Sequence, residues 1–69
     1  MKPTQETKDI LWRLSEYVRH ASSATEDCVA VAWQEYVEGS DRWRSALLQA
    51  RNHTRDILDR ITLVDEEIN

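Results

Sequence analysis

Glycine, proline, cysteine and methionine each occur once in this 69-residue chain, and phenylalanine does not occur. A single glycine excludes a glycine-rich phosphate loop, which needs several residues of unhindered backbone around the ligand. A single cysteine, Cys28, excludes a disulfide within the chain and a cysteine-based zinc site. No apolar run approaches the roughly 18 residues of a membrane span. The opening MKPTQETKDI also lacks the apolar stretch of a secretory signal, so the expected location is the cytoplasm. Positive charge is not in excess: nine Lys and Arg face thirteen Asp and Glu, a net of −4. That balance weighs against unspecific attachment to nucleic acid or an anionic membrane, while leaving room for a local basic patch.

What is present points to helix. Apolar residues make up 41% of the chain, too many for a solvated tail, and almost nothing interrupts them. A domain of this size buries about 60% of the surface its unfolded chain exposes, so it is marginal without reinforcement. From about residue 4 to 21, Ile10, Leu14, Tyr17 and Ala21 recur at helical spacing, with Leu11 and Val18 widening the stripe. Pro3 suits a helix start, with Thr4 or Thr7 as cap. Trp12 sits to one side of the stripe. Residues 22–25 read as a turn, because Ser22, Ser23 and Thr25 compete for backbone hydrogen bonds and Ser23 with Glu26 fits a capping box.

A second helix is expected over about 24–61. Val29, Trp33, Tyr36, Ser40, Trp43, Leu47, Ala50, Thr54, Ile57, Ile61 and Val64 alternate steps of four and three without a slip. Such persistence marks the seam of a coiled coil or long helical hairpin. Gly39 is the ambiguous point, able to end one helix or to sit inside a continuous one. The unbroken phase on both sides favours continuity. The acidic tail 65–69 is expected to lie beyond the helix, since negative charge is unfavourable at a helix C-terminus.

The resulting fold class is all-α: an antiparallel hairpin with a short first helix and a long second one, dimerising as a four-helix assembly. The short helix cannot cover the whole seam, and a second copy is the least costly cover for the remainder. If the chain breaks at Gly39, the alternative is a compact three-helix bundle.

No constellation for catalysis or for a metal or cofactor emerges. Cys28 has no established base beside it, although His20 is conceivable across the expected turn. Glu35 and Glu38 lack carboxylate or histidine partners, and His20 and His53 lie far apart. Asn52-His53-Thr54 matches a glycosylation acceptor, a chance match in a chain without a secretory signal. A helix-turn-helix with Gly39 in its turn fails, because Glu35 falls where a small residue must pack and Ser45 where an apolar one is needed.

Two features suggest binding. Arg42, Arg44, Arg51 and Arg55, with His53, form a basic concentration containing no acidic residue between Arg42 and Arg55. The bland account is a solvated helix face; the sharper one is contact with an acidic protein or a phosphate backbone. Trp33 and Trp43, on the seam, are equally divided between core packing and an aromatic anchor surface, while Trp12 reads mainly as an anchor because it is off the stripe.

The segment Ala21-Ser22-Ser23-Ala24-Thr25-Glu26-Asp27, followed by a long helix with a central tryptophan, resembles phage-encoded anti-activators of bacterial quorum sensing. The likeness covers the turn and part of the second helix and carries over no functional residue. It implies a dimeric helical hairpin that inhibits a transcription factor of the LuxR type. The functional expectation is therefore a small non-enzymatic homodimer that binds and modulates a regulatory protein through its aromatic and arginine surfaces. Its alternatives are a scaffolding subunit of a helical assembly and a nucleic-acid-binding regulator, the last opposed by the overall charge.

Overall fold

The computed structural model describes residues 4–69, so Pro3 lies outside the described residues. Two helices form, α1 over Gln5–Val37 and α2 over Trp43–Ile68. They fold back on each other as an all-α antiparallel hairpin: Tyr36 meets Trp43 near the loop, Cys28 meets Gln49, and Arg60 lies over Tyr17 further down. The hairpin is long and thin, 55 × 16 × 12 Å, with a radius of gyration of 16.1 Å. A compact chain of this length would have about 11 Å.

The start of α1 is capped by Thr4, whose hydroxyl accepts the Thr7 N–H at 3.1 Å. The helix then passes straight through residues 22–25, where a turn is expected from the sequence. That expectation fails because a hydroxyl in the segment can bond back to the preceding turn without breaking the ladder. Thr25 donates its hydroxyl to the Ala21 carbonyl at 2.8 Å, as Ser15 does to that of Trp12 at 2.7 Å. The alanines at 21 and 24 are strong helix formers, and no glycine or proline interrupts the segment. The expected order of a short helix followed by a long one is likewise corrected: α1 has 33 residues and α2 has 26.

The break comes at Gly39, which takes φ +78. Its N–H reaches the Tyr36 carbonyl at 3.0 Å and the Ser40 N–H reaches that of Glu35 at 2.9 Å. This pair of bonds is a Schellman motif, and it satisfies carbonyls that the end of α1 would otherwise leave free. Ser40 then accepts the Arg42 N–H on its hydroxyl at 3.1 Å, turning the chain into α2. The continuous helix expected across Gly39 is therefore absent. A three-helix bundle does not form either, because 22–25 remains helical. At the far end α2 continues through the acidic residues to Ile68 and is not finished near Thr62. Val64 and Ile68 are half-buried, and Asn69 closes the helix with its side-chain amide on the Asp65 carbonyl at 3.1 Å and carboxylate at 2.7 Å.

The contact line between the helices has a 3.5-residue period. On α1, Thr7, Leu14, Ala21, Cys28 and Glu35 recur every seven residues, with Ile10, Tyr17 and Ala24 between them, all half-buried. On α2 the line is Trp43, Ala46, Ala50, His53, Ile57 and Val64. Among the described residues only Ala32, Ala46 and Ala50 are fully buried.

Gly39 offers a clean test of the break. A Cβ there would touch nothing within 4 Å, so substitution strains only the backbone. Gly39→Ala should lower unfolding stability by about 1–2 kcal/mol, the cost of a left-handed L-residue. A D-alanine placed at 39 by chemical synthesis should match or exceed the parent, because it favours positive φ. Urea titration of the two synthetic chains checks this.

Candidate interaction surface

Because the helices are antiparallel, equivalent flanks of their contact lines lie on the same side of the hairpin. One side is apolar. Near the loop, Val29, Ala32, Trp33, Tyr36, Trp43 and Leu47 line a single groove. Seven-residue steps from Ala32 extend this side along α1 to Thr25, Val18 and Leu11, and steps from Leu47 extend it along α2 to Thr54, Ile61 and Ile68. Trp33 is 66% exposed and Tyr36 69% exposed, with Leu11, Val29, Leu47, Leu58 and Ile61 also exposed. The rings of Tyr36 and Trp43 meet edge to face with centroids 5.8 Å apart. The Arg44 guanidinium lies 5.1 Å from the centre of the Trp43 ring.

The other side is mixed, with charged and polar residues set among apolar ones. Asp27, Cys28, Val31, Glu35, Arg42, Ser45, Ala46 and Gln49 line its groove near the loop. Ile10, Arg13, Leu14, Tyr17, Arg60, Val64 and Glu67 line it near the open end. Arg60 sits 4.7 Å from the Tyr17 ring centre, shielding that ring while keeping its charge in water.

The residues singled out in the sequence are distributed over this frame. Ile10, Leu14, Tyr17, Trp43 and Ile57 are half-buried on the contact line, and Ala50 is buried there. Val29, Trp33, Tyr36, Leu47 and Ile61 form the outward apolar side. Arg44 and Arg51, seven residues apart, and Arg55 run along the outer edge of that side, whereas Arg42 lines the groove of the mixed side near the loop. The arginines therefore do not form one patch. Trp12, 65% exposed, lies in the half of α1 away from the loop, remote from all four.

Nothing chemical converges. Cys28 points its thiol toward the Gln49 side-chain oxygen at 3.8 Å, and His20 faces Glu16 at 3.7 Å. Cys28 and His20 are separated by two helical turns, about 12 Å. Among the described residues no cluster of three His, Cys, Asp or Glu could hold a metal ion, and no helix is long and apolar enough to cross a membrane.

Ala21 belongs to the stripe expected from the sequence, whereas the role of Ala24, Cys28 and Ala46 on the contact line does not emerge from it. Ala21, Ala24, Cys28 and Ala32 on α1 and Ala46 on α2 carry the seam, and their signal was the seven-residue spacing of Leu14, Ala21 and Cys28. Comparison with protein-family models, with curated proteins and with solved structures finds no match for the chain.

The edge-to-face ring pair should be measurable. Tyr36→Ala should lower stability by about 0.5–1.5 kcal/mol in a denaturant titration, and Tyr36→Phe should keep most of it, since the ring edge rather than the hydroxyl makes the contact.

Proposed function

We propose that the protein is a small non-enzymatic binding module, a homodimer that seizes a regulatory protein and inhibits or sequesters it. The carrying observation is the inversion of its side chains: among the described residues only alanines are fully buried, while Val29, Trp33, Tyr36, Leu47 and Ile61 stand exposed on one side. The surface of 5781 Å² exceeds the roughly 4,500 Å² of a compact monomer of this mass. An apolar surface so large on a chain of this size is a binding surface or an aggregation hazard. A second copy is the cover available at every concentration of the protein, and two hairpins face to face make a four-helix bundle.

The regulatory partner would then be met by what dimerisation leaves outside: Trp12, with the outer arginines Arg44, Arg51 and Arg55. Trp and Arg are the residues on which binding energy concentrates. The resemblance to quorum-sensing anti-activators favours a transcription factor as that partner. Nucleic acid is disfavoured, because the four arginines lie on two sides of the hairpin rather than along one stripe. The elongated hairpin also offers only open grooves, which suits a binder better than an enzyme.

Two measurements test this reading. Sedimentation of the parent chain should give twice the 8.1 kDa monomer mass, and the double variant Val29→Glu/Leu47→Glu should weaken association on the order of 100-fold or more, given about 1.5–3 kcal/mol per apolar side chain removed from the interface. Capture on the tagged chain should then retain one stoichiometric protein that survives nuclease and is lost with Trp12→Ala/Arg55→Glu. A monodisperse monomer with no captured protein sinks the proposal, and a stable one-to-one complex with a helical protein in place of the dimer turns it into a scaffolding subunit.

A further inference from the structure

The apolar side has an internal symmetry that specifies how a second copy must sit on it. We propose that the two hairpins pack head to tail, loops at opposite ends, about a two-fold axis crossing Ser22 of α1 and Thr54 of α2, and that this pairing sets Trp12 of each copy beside Trp33 of the other. The inference rests on the dimer reading above and adds its geometry.

Ser22 and Thr54 stand at the same height in the hairpin. Tyr17 opposite Arg60 and Cys28 opposite Gln49 bracket them evenly on both helices. Rotation about an axis through that height lays α1 antiparallel on the α1 of the second copy, and α2 on α2. Positions within one residue of equidistant from the axis then come level. On α1, Leu11 comes level with Ala32, the buried floor of the apolar groove, and Val18 with Thr25, a large side chain against a small one each time. On α2, Leu47 meets Ile61, and Thr54 meets itself at the axis. Alternating large and small residues across facing positions is how helical layers fill space evenly.

Charge follows the same symmetry. Arg19 lies three residues and Glu26 four from Ser22, and Arg44 ten and Asp65 eleven from Thr54, so each pair comes level to within one residue and brings opposite signs together. Size also fits. The side measures 55 × 16 Å, about 900 Å² per copy, against the ~800 Å² per partner of a standard interface.

The competing arrangement places both loops at one end. It stacks Trp33, Tyr36 and Trp43 of both copies in a single layer and separates Arg44 from Asp65. Glu26 facing Arg51 is its one matched charge pair, against two for the head-to-tail form. The head-to-tail form also has a functional consequence. Trp12 and Trp33 lie on the outer edge of α1, three heptads apart. Aligned between copies, they form two identical aromatic ledges on the bundle exterior, each half from one chain. The binding surface is complete only in the dimer.

A spin label at Asp41→Cys in the loop, in a Cys28→Ala background, reads the arrangement. Head-to-tail pairing gives an inter-label distance close to the 55 Å length of the hairpin. A distance under about 20 Å, the breadth of two packed helical layers, overturns this geometry while leaving the dimer intact. A monomeric mass with no inter-label coupling overturns both. Charge reversal supplies the second reading if the label disturbs the loop. Arg44→Asp and Asp65→Arg should each weaken association about 3–10-fold, and the two together should restore it. No restoration in the double variant also counts against the head-to-tail pairing.

Discussion

The close contact of Ala32, Ala46 and Ala50 is the constraint on which the rest of the molecule depends. Two helices can share only one line of contact, and here that line is filled by small side chains over half its length. Small residues let the backbones approach, and the approach leaves no room to bury a tryptophan or a leucine fully, so Leu14 and Trp43 on the contact line stay half-exposed. Bulky side chains must then stand on the flanks. Because antiparallel helices place matching flanks on the same side, the displaced residues of α1 and α2 accumulate on one side of the hairpin. An apolar exterior is thus the direct consequence of an alanine interior.

The loop keeps that consequence intact. Gly39 at positive φ allows the Schellman closure, which turns the chain within five residues, 38–42. The short connection fixes the height at which α2 begins, and hence the pairing of Cys28 with Gln49 and of Tyr17 with Arg60 further along. A longer or looser connection would let α2 slide by a turn, and the two apolar flanks would no longer coincide.

The all-helical class and the hairpin character were legible in the sequence from the 3.5-residue repeat and the scarcity of glycine and proline. The position of the turn was not. Ser22, Ser23 and Thr25 look like a break because hydroxyls compete with the ladder, yet inside a helix they can bond back to the preceding turn, as Thr25 does to Ala21. Composition does not distinguish the two outcomes. What decides is that the contact line continues past Ala21 through Ala24, Cys28 and Ala32, residues too small to register as a hydrophobic stripe. The long unbroken stripe from Val29 to Val64 also misled. Its phase survives the break at Gly39 although its residues change place: Val29, Trp33 and Tyr36 stand outward on α1, while Trp43, Ala50, Ile57 and Val64 lie on the contact line of α2. Continuity of pattern did not report a continuous helix. The exposure of Trp12 was legible from its place off the stripe, but the separation of the arginines was not. It depends on which helix face meets the partner helix, and that is fixed by the alanine line.

A hairpin built this way couples folding to association. Its contact line fully buries only alanines among the described residues and leaves Leu14, Tyr17, Trp43 and Ile57 half-exposed, so further hydrophobic stabilisation is gained when the outward side is covered. Two kinds of partner then act differently on the same molecule. A helical protein that binds the apolar side competes with the second copy, and its grip falls as the concentration of the chain rises. A protein that binds the outer edge of α1 adds to the dimer and is favoured by the same rise in concentration. On the proposed dimer the exposed residues, with Tyr36, Leu47 and Ile61 on the apolar side and Trp12, Trp33 and the outer arginines at its margins, suit the second case. In that proposal the apolar side would hold the copies together and the margins would be left to recognise something else.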